Sequence, residues 1–405
     1  MLGGPFSPWP SFTQEEAQAV QDVLLSNKVN YWTGTECIEF EKEFARFAET
    51  EYAIAVANGT NALDLALKGL GIGEKDNEEV IVTSRTYIAS ASCIANAGAV
   101  PVFADVDRDS QNITAATVAE KITPRTRAII AVHIAGWPCE MEALMALAEQ
   151  YGLYVIEDCA QAHGARYHGR SVGGVGHVGC WSFCQDKIMT TGGEGGMVTT
   201  NNAALWKKMW AYKDHGKSWD AVHVREHPPG FRWLHDTFGT NWRMTEMQAA
   251  IGRIQLKRMP EWSAIRHANA QRIWQVASDC PGLRVPVLCS ETSLNSTSEY
   301  SQHGAYKCYV FIRPQRLASG WDRDRILNEI NQRGVPCFSG SCSEVYLEKA
   351  FMSAGWQPQI SLPVAQELGQ TSLMFLCHPT LTHEEIDKTC QVLKEVMKES
   401  TNTAF

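Results

Sequence analysis

The chain has 405 residues, 44% of them hydrophobic, enough to bury a sizeable core without disulfide or metal staples. Its 45 acidic and 36 basic residues give a formal net charge of -9 with no basic block, which argues against a nucleic-acid partner. No apolar run approaches the roughly 20 residues that span a bilayer, and thirteen cysteines without a CxxC pair or Cys/His cluster read as reduced, buried thiols rather than metal ligands.

The first segment, MLGGPFSPWPSF, lacks the basic-then-apolar pattern of a signal peptide, so a soluble, cytoplasmic protein is expected. TQEEAQAVQDVLLS (13–26) predicts a helix, with Thr13 and Glu16 as a capping box ahead of Val20, Val23 and Leu24. WTGTECIEFEKEFARFAE (32–49) then leads through a glycine hinge into a second amphipathic helix.

From residue 52 to about 200, short apolar runs alternate with helical stretches: YAIAVANG, EVIVTS, PVFADVD, RAIIAVHIAG, LYVIEDCAQ, GCWSFC and GGMVTTN. Such alternation predicts a mostly parallel sheet covered by helices on both faces, with ligands bound at the carboxyl ends of the strands. Farther on, RMPEWSAIRHANAQRIWQVAS (258–278) predicts a long connecting helix, and the Ser/Thr-rich stretch 285–304 a linker or surface loop. A strand (KCYVFIRP), a helix (DRDRILNEINQRG) and a capped terminal helix with Ile386, Cys390, Leu393 and Met397 on one face complete a smaller α/β domain. The expected division is a large domain over 1–255 and a small one over 256–405.

Three features of the first region share one chemistry. Asp158 ends an apolar strand, where it reads either as a helix N-cap or as a buried acid. Lys187 follows the next strand ahead of a burst of glycines, where a lysine is otherwise a solvated surface charge. Asn-Gly-Thr at 58–60 opens a helix whose free N–H groups and dipole suit a phosphate. A phosphate, a cationic heteroaromatic nitrogen and an aldehyde that condenses with an amine are the functional groups of pyridoxal phosphate (PLP), and the sequence offers a partner for each.

NGTNALDLAL, VIEDCAQAHGA, SFCQDKIMTTGGEGG and NWRMTEMQAAIGRIQL, in that order, resemble the motif series of the DegT/DnrJ/EryC1/StrS sugar aminotransferases. The resemblance runs from about residue 13 to the last helix. It implies the aspartate-aminotransferase fold (PLP fold type I, α/β) and amination of a keto- or aldehyde-sugar with glutamate as donor. Lys187 matches the lysine that condenses with the cofactor's aldehyde, and Asp158 the carboxylate that keeps the ring nitrogen protonated. Gln161 matches a hydrogen-bond partner of the ring's phenolic oxygen, and Tyr87 the aromatic ring stacked on the pyridine face. Gly59, Thr60 and Ser182 match the phosphate cradle. Asn241 matches an asparagine that reaches the phosphate from a neighbouring subunit, so a homodimer with shared active sites is expected.

His163, Arg243, Ser341 and Glu344 are the candidate substrate contacts, with His163 also readable as a structural histidine and Arg243 as one half of a structural ion pair. Where many family members carry hYxxxH after the small-domain turn, this chain reads GVPCFSGSCSEVYLEKAF. The small hydroxyls, thiol and Glu344 of residues 339–345 set a free acidic sugar, 8-oxo-3-deoxy-octulosonate, beside a nucleotide-linked keto-sugar as the acceptor. A dehydratase or epimerase and a non-catalytic regulator are the rival readings on this scaffold. Lys187 argues against the dehydratase branch, in which histidine replaces the lysine.

Overall fold

In the computed structural model, which describes residues 5–286 and 301–401, all seven apolar runs become strands of one sheet. They are β1 (Tyr52–Val56), β2 (Glu79–Thr83), β3 (Val100–Ala104), β4 (Thr126–Val132) and β5 (Tyr154–Asp158), then, after a small hairpin of β6 (Arg166–Tyr167) and β7 (Arg170–Ser171), β8 (Val178–Ser182) and β9 (Gly196–Thr200). The order across the sheet is β1-β9-β8-β5-β4-β2-β3. From β3 to β8 every pair is parallel, while β9 runs antiparallel to both its neighbours. β9 is reached from β8 by the loop 183–195 with no crossover helix, a return that only an antiparallel pair permits. Lys187 is carried on that loop.

Helices Gly59–Leu70, Ala89–Ala97 and Met141–Tyr151 link successive strands and bury their apolar faces on the sheet, so β2 and β8 are buried at every residue. This double covering explains why the strands read as continuous apolar runs rather than alternating ones.

A second, antiparallel sheet of order β10-β11-β13-β12 is formed by β10 (Leu283–Arg284), β11 (Cys308–Ile312), β12 (Cys337–Phe338) and β13 (Ser372–Phe375). It has its own core, to which the helices Arg323–Gln332 and His383–Ser400 contribute Ile326, Ile330, Leu393, Val396 and Met397. The connecting helix is longer than the sequence pattern suggests, running Glu246–Ser278 straight through Pro260. It starts early because Thr245 and Gln248 form a capping box. Its first half (Ala249, Leu256, Met259) belongs to the large core and its second half (Ala270, Ile273, Ala277) to the small one, so the 255/256 boundary falls inside one helix. Of the Ser/Thr-rich stretch 285–304, residues 287–300 lie outside the described residues.

Candidate active site

A cleft of about 1000 Å³ opens at the carboxyl ends of β1, β5 and β8 and is closed on its far side by β11 and the loop after β12. Asn58 caps the helix Gly59–Leu70, its side-chain oxygen accepting from the Asn61 N–H at 2.8 Å. Among the described hydrogen bonds none uses the Gly59 or Thr60 N–H, and both residues line the cleft. A Cβ on Gly59 would lie 2.5 Å from the Ser182 Cβ, so only glycine lets the end of β8 come this close. For the same reason Gly196, the first residue of β9, is fixed, since a Cβ there would lie 2.3 Å from the Asn58 carbonyl oxygen.

Strand alternation turns the neighbouring carboxylates of β5 to opposite faces. Glu157 is locked into structure: His133 Nε2 lies 3.0 Å away and the Gly173, Val175 and Gly176 N–H groups donate to it. Burial pushes its carboxyl up, but those bonds and the imidazole bring it below its ordinary value. Asp158 faces the cleft, accepts from Ser90 Oγ at 2.7 Å and the Ala160 N–H at 3.1 Å, and has no cation within ion-pair distance among the described residues. Burial therefore lifts its pKa above the ordinary range, against the pull of those two bonds and of Lys187. No helix follows Asp158, so it is not an N-cap.

Lys187 is held at its backbone. Its N–H donates to the Cys184 carbonyl at 3.0 Å, and its carbonyl accepts from Trp9 Nε1 at 2.8 Å. Its side chain, 17% exposed, points into the cleft with Nζ 3.4 Å from Asp186 Oδ1 and 5.3 Å from the Tyr306 ring centroid. The surface-lysine reading is thereby excluded. Asp186 also accepts from the Tyr306 hydroxyl; burial would raise its carboxyl, but Lys187 and Tyr306 hold it below the usual range.

Gln161 is buried and its Oε1 accepts from the Ala135 N–H at 2.7 Å, which leaves its amide N–H groups as the donors available at the cleft. Tyr87 lines the cleft with its ring 70% exposed. Ser341 lines the opposite wall, its N–H donating to the Tyr309 hydroxyl at 2.9 Å.

The geometry places three of the candidate substrate contacts away from the cleft of their own chain. His163 is fully buried outside the cleft, its ring against Trp181 and Phe183, with burial depressing its pKa to about 3. Arg243 does not line the cleft either; its Nη1 pairs at 2.6 Å with Oδ1 of the buried Asp214, the structural alternative. Glu344 is turned aside by the Tyr346 hydroxyl, which donates to it at 2.5 Å, and Glu348 lines the cleft instead. Asn241 is exposed and lies outside the cleft of its own chain.

Sequence reasoning passed over Ser90, Tyr306, Lys307, Tyr309 and Glu348, all of which line the cleft. Period-two spacing puts Lys307 and Tyr309 on one face of β11 and its lead-in, a usable signal. The Ser90 bond to Asp158 joins residues far apart in sequence and has no local signature.

The cleft leaves open what PLP would supply. A cationic ring nitrogen would answer the uncompensated Asp158, and an anionic phosphate would take the free N–H groups of Gly59 and Thr60 beside Ser182. Fold and site together define the class as the PLP-dependent aminotransferases of the aspartate-aminotransferase fold. Within it, the chain belongs to the DegT/DnrJ/EryC1/StrS aminotransferase family, whose model matches residues 10–394. Its cofactor is pyridoxal 5′-phosphate. It is 42% identical over 390 residues to a GDP-perosamine synthase of Escherichia coli O157:H7, covering 95% of this chain and 96% of that protein. It is 33% identical over 384 residues to a dTDP-3-amino-3,4,6-trideoxy-alpha-D-glucose transaminase of Streptomyces venezuelae, covering 94% and 93%. A solved aminotransferase from Psychrobacter cryohalolentis shares 61% identity and superposes with a TM-score of 0.94 over 98% of this chain and 99% of its own. Among the described residues, no helix is long and apolar enough to cross a membrane.

Proposed function

We propose that the enzyme moves an amino group from glutamate to a nucleotide-linked keto-sugar, in two half-reactions, as a cytoplasmic homodimer serving cell-surface polysaccharide synthesis. The observation that carries this reading is the meeting of Lys187 and the uncompensated Asp158 in one cleft. When bound, PLP supplies an aldehyde that captures amines and a ring that accepts the electron pair of a broken Cα–H bond.

The chain's own residues do the rest. Lys187 Nζ takes the Cα proton of the donor and, in the return half-reaction, gives a proton to the sugar carbon. Asp158 holds positive charge at the ring nitrogen, Gln161 donates to the phenolic oxygen, and Tyr87 covers a ring face. Gly59, Thr60 and Ser182 grip the phosphate. Asn241, exposed and off its own cleft, completes the cleft of a second copy; sedimentation that finds a fully active monomer would remove this element. Residues 1–255 and 256–405 act as two units joined by the helix Glu246–Ser278.

The nucleotide-linked acceptor is supported by the GDP- and dTDP-sugar names of the relatives and by an exposed ring suited to stacking on a base, Phe338, at the cleft wall. Ser341 and Cys342, small side chains at the same wall, favour the second reading, 8-oxo-3-deoxy-octulosonate. A panel of UDP-, GDP- and dTDP-linked keto-sugars and the octulosonate, each with glutamate, tests the choice. Saturable amination of one nucleotide sugar is expected, and turnover of the octulosonate alone would overturn it. Loss of the holoenzyme's visible absorbance on adding glutamate separates an aminotransferase from a dehydratase or a regulator.

A further inference from the structure

Lys307 immediately precedes β11 where the two sheets meet, and its side chain lines the cleft. Among the described residues it has no ion-pair partner. Asp186, the acid whose field reaches it, is already engaged by Lys187 and by the Tyr306 hydroxyl. Lys307 Nζ lies 5.0 Å from the Tyr306 ring centroid and Lys187 Nζ 5.3 Å from the same centroid, so two amines flank one ring. A third positive charge, Arg266, acts on both Tyr306 and Lys307. Arg266 is almost fully buried, its guanidinium 4.7 Å from the Trp9 ring centroid, and its Nε and Nη2 have no hydrogen-bond partner among the described residues.

Two amines flank the Tyr306 ring, the buried Arg266 guanidinium acts on both Tyr306 and Lys307, and Asp186, the acid beside the two amines, is already hydrogen-bonded, so this corner of the cleft carries more positive than negative charge. Burial and the neighbouring cations hold the Lys307 amine below its ordinary pKa, a cost that an arriving anion would relieve. Two anions enter such a site in turn: a carboxylate of the amino donor and the diphosphate of the acceptor. The donor's amine must reach the position of Lys187 Nζ, and Lys307 shares a ring with that amine, within the reach of one amino acid. The diphosphate of a nucleotide sugar is separated from the reacting carbon by part of the sugar ring.

We propose that Lys307 anchors a carboxylate of the amino donor, an inference that rests on the aminotransferase reading above. The anchor acts as a point charge with three donors, so arginine replaces it in charge though not in shape.

The test uses the holoenzyme and glutarate, a dicarboxylate that has no amine to react. Calorimetric titration should show glutarate binding to wild type, weakened roughly tenfold to a hundredfold by Lys307→Gln and only a fewfold by Lys307→Arg. GDP, UDP and dTDP should bind the variants as they bind wild type. The glutamate concentration that half-saturates the loss of cofactor absorbance should rise in step with the glutarate constant. If the glutamine variant does not fold, Lys307→Met, which keeps the apolar stem beside Tyr306, takes its place. Unchanged glutarate affinity, or a loss confined to the nucleoside diphosphates, would overturn the anchor while leaving a glutamate-bleached enzyme an aminotransferase. Wild-type holoenzyme that no amino acid bleaches would overturn the aminotransferase reading and the anchor with it.

Discussion

On one side of the cleft, Asp158 and Ser182 end strands buried on both faces, and Lys187 follows on a loop that leads into Gly196 of β9, where a Cβ would meet the Asn58 carbonyl oxygen at 2.3 Å. On the other side, the loop 339–345 is tied chiefly by two side chains, the buried Arg85 and the Tyr309 hydroxyl. Arg85 donates to Ser343 Oγ, to the Ser341 carbonyl at 3.4 Å and to Ser372 Oγ at 2.9 Å, with Gln111 Oε1 3.1 Å from its Nε and no carboxylate partner among the described residues. Backbone packing sets the first wall and side-chain bonds set the second. On the function proposed above, reaction chemistry, which fails at small displacements, would belong to the rigid wall, and acceptor choice to the wall that can be re-hung without rebuilding a sheet.

Changes on the rigid wall should abolish both half-reactions. Lys187→Ala removes the only amine at the strand-end position and should leave a folded protein that binds the cofactor noncovalently, with activity down by roughly 10⁴ or more. Turnover near wild type would end the assignment. Asp158→Asn cannot hold a positive ring nitrogen, and kcat should fall by roughly 10² to 10³ in both half-reactions with folding intact. Unchanged kinetics would reduce Asp158 to its Ser90 and Ala160 hydrogen bonds.

Gly59→Ala tests the close approach itself. Its Cβ would lie 2.5 Å from the Ser182 Cβ, so overpacking of about 1–3 kcal/mol should weaken cofactor affinity tenfold or more in equilibrium dialysis. Equal affinity would show that the cradle relaxes freely. On the hung wall, Arg85→Met should raise the acceptor KM about tenfold while the glutamate half-reaction stays within about threefold. A matching loss in both half-reactions would erase the difference between the walls.

A stability effect spans both sides. His163, His303 and His378 are buried, with pKa values held down to about 3. In the unfolded chain they titrate near 6.5, so between about pH 6.5 and 3 the unfolded state binds more protons and stability falls as pH falls. Each contributes up to about 1.4 kcal/mol of loss per pH unit in that window. The melting temperature should drop between pH 7 and 5, and His163→Phe, which keeps the packing against Trp181 and Phe183, should make the slope shallower. A melting temperature flat across that range would remove the linkage.

The sheet and its cofactor-type residues were legible because they are local. Buried parallel strands announce themselves as apolar runs, and an acid, a lysine or an Asn-Gly-Thr at a strand end is fixed by its place in the run. His163, Arg243 and Glu344 could not be sorted this way, since each is decided by a partner distant in sequence or by the face it presents: two aromatic rings, Asp214, and the Tyr346 hydroxyl.

The sequence by itself determined the fold class, the order of the strands along the chain, the capped helices and the strand-end trio of Gly59, Asp158 and Lys187. Only the tertiary structure decided that Gln161 keeps its amide free, that Ser90 holds Asp158, and that Lys307 joins Lys187 beside Tyr306. Period and punctuation are properties of neighbouring residues and survive in a string of letters. A hydrogen bond between Ser90 and Asp158, or two amines beside one ring, exists only once the sheets and the helix Glu246–Ser278 have fixed distant segments in space.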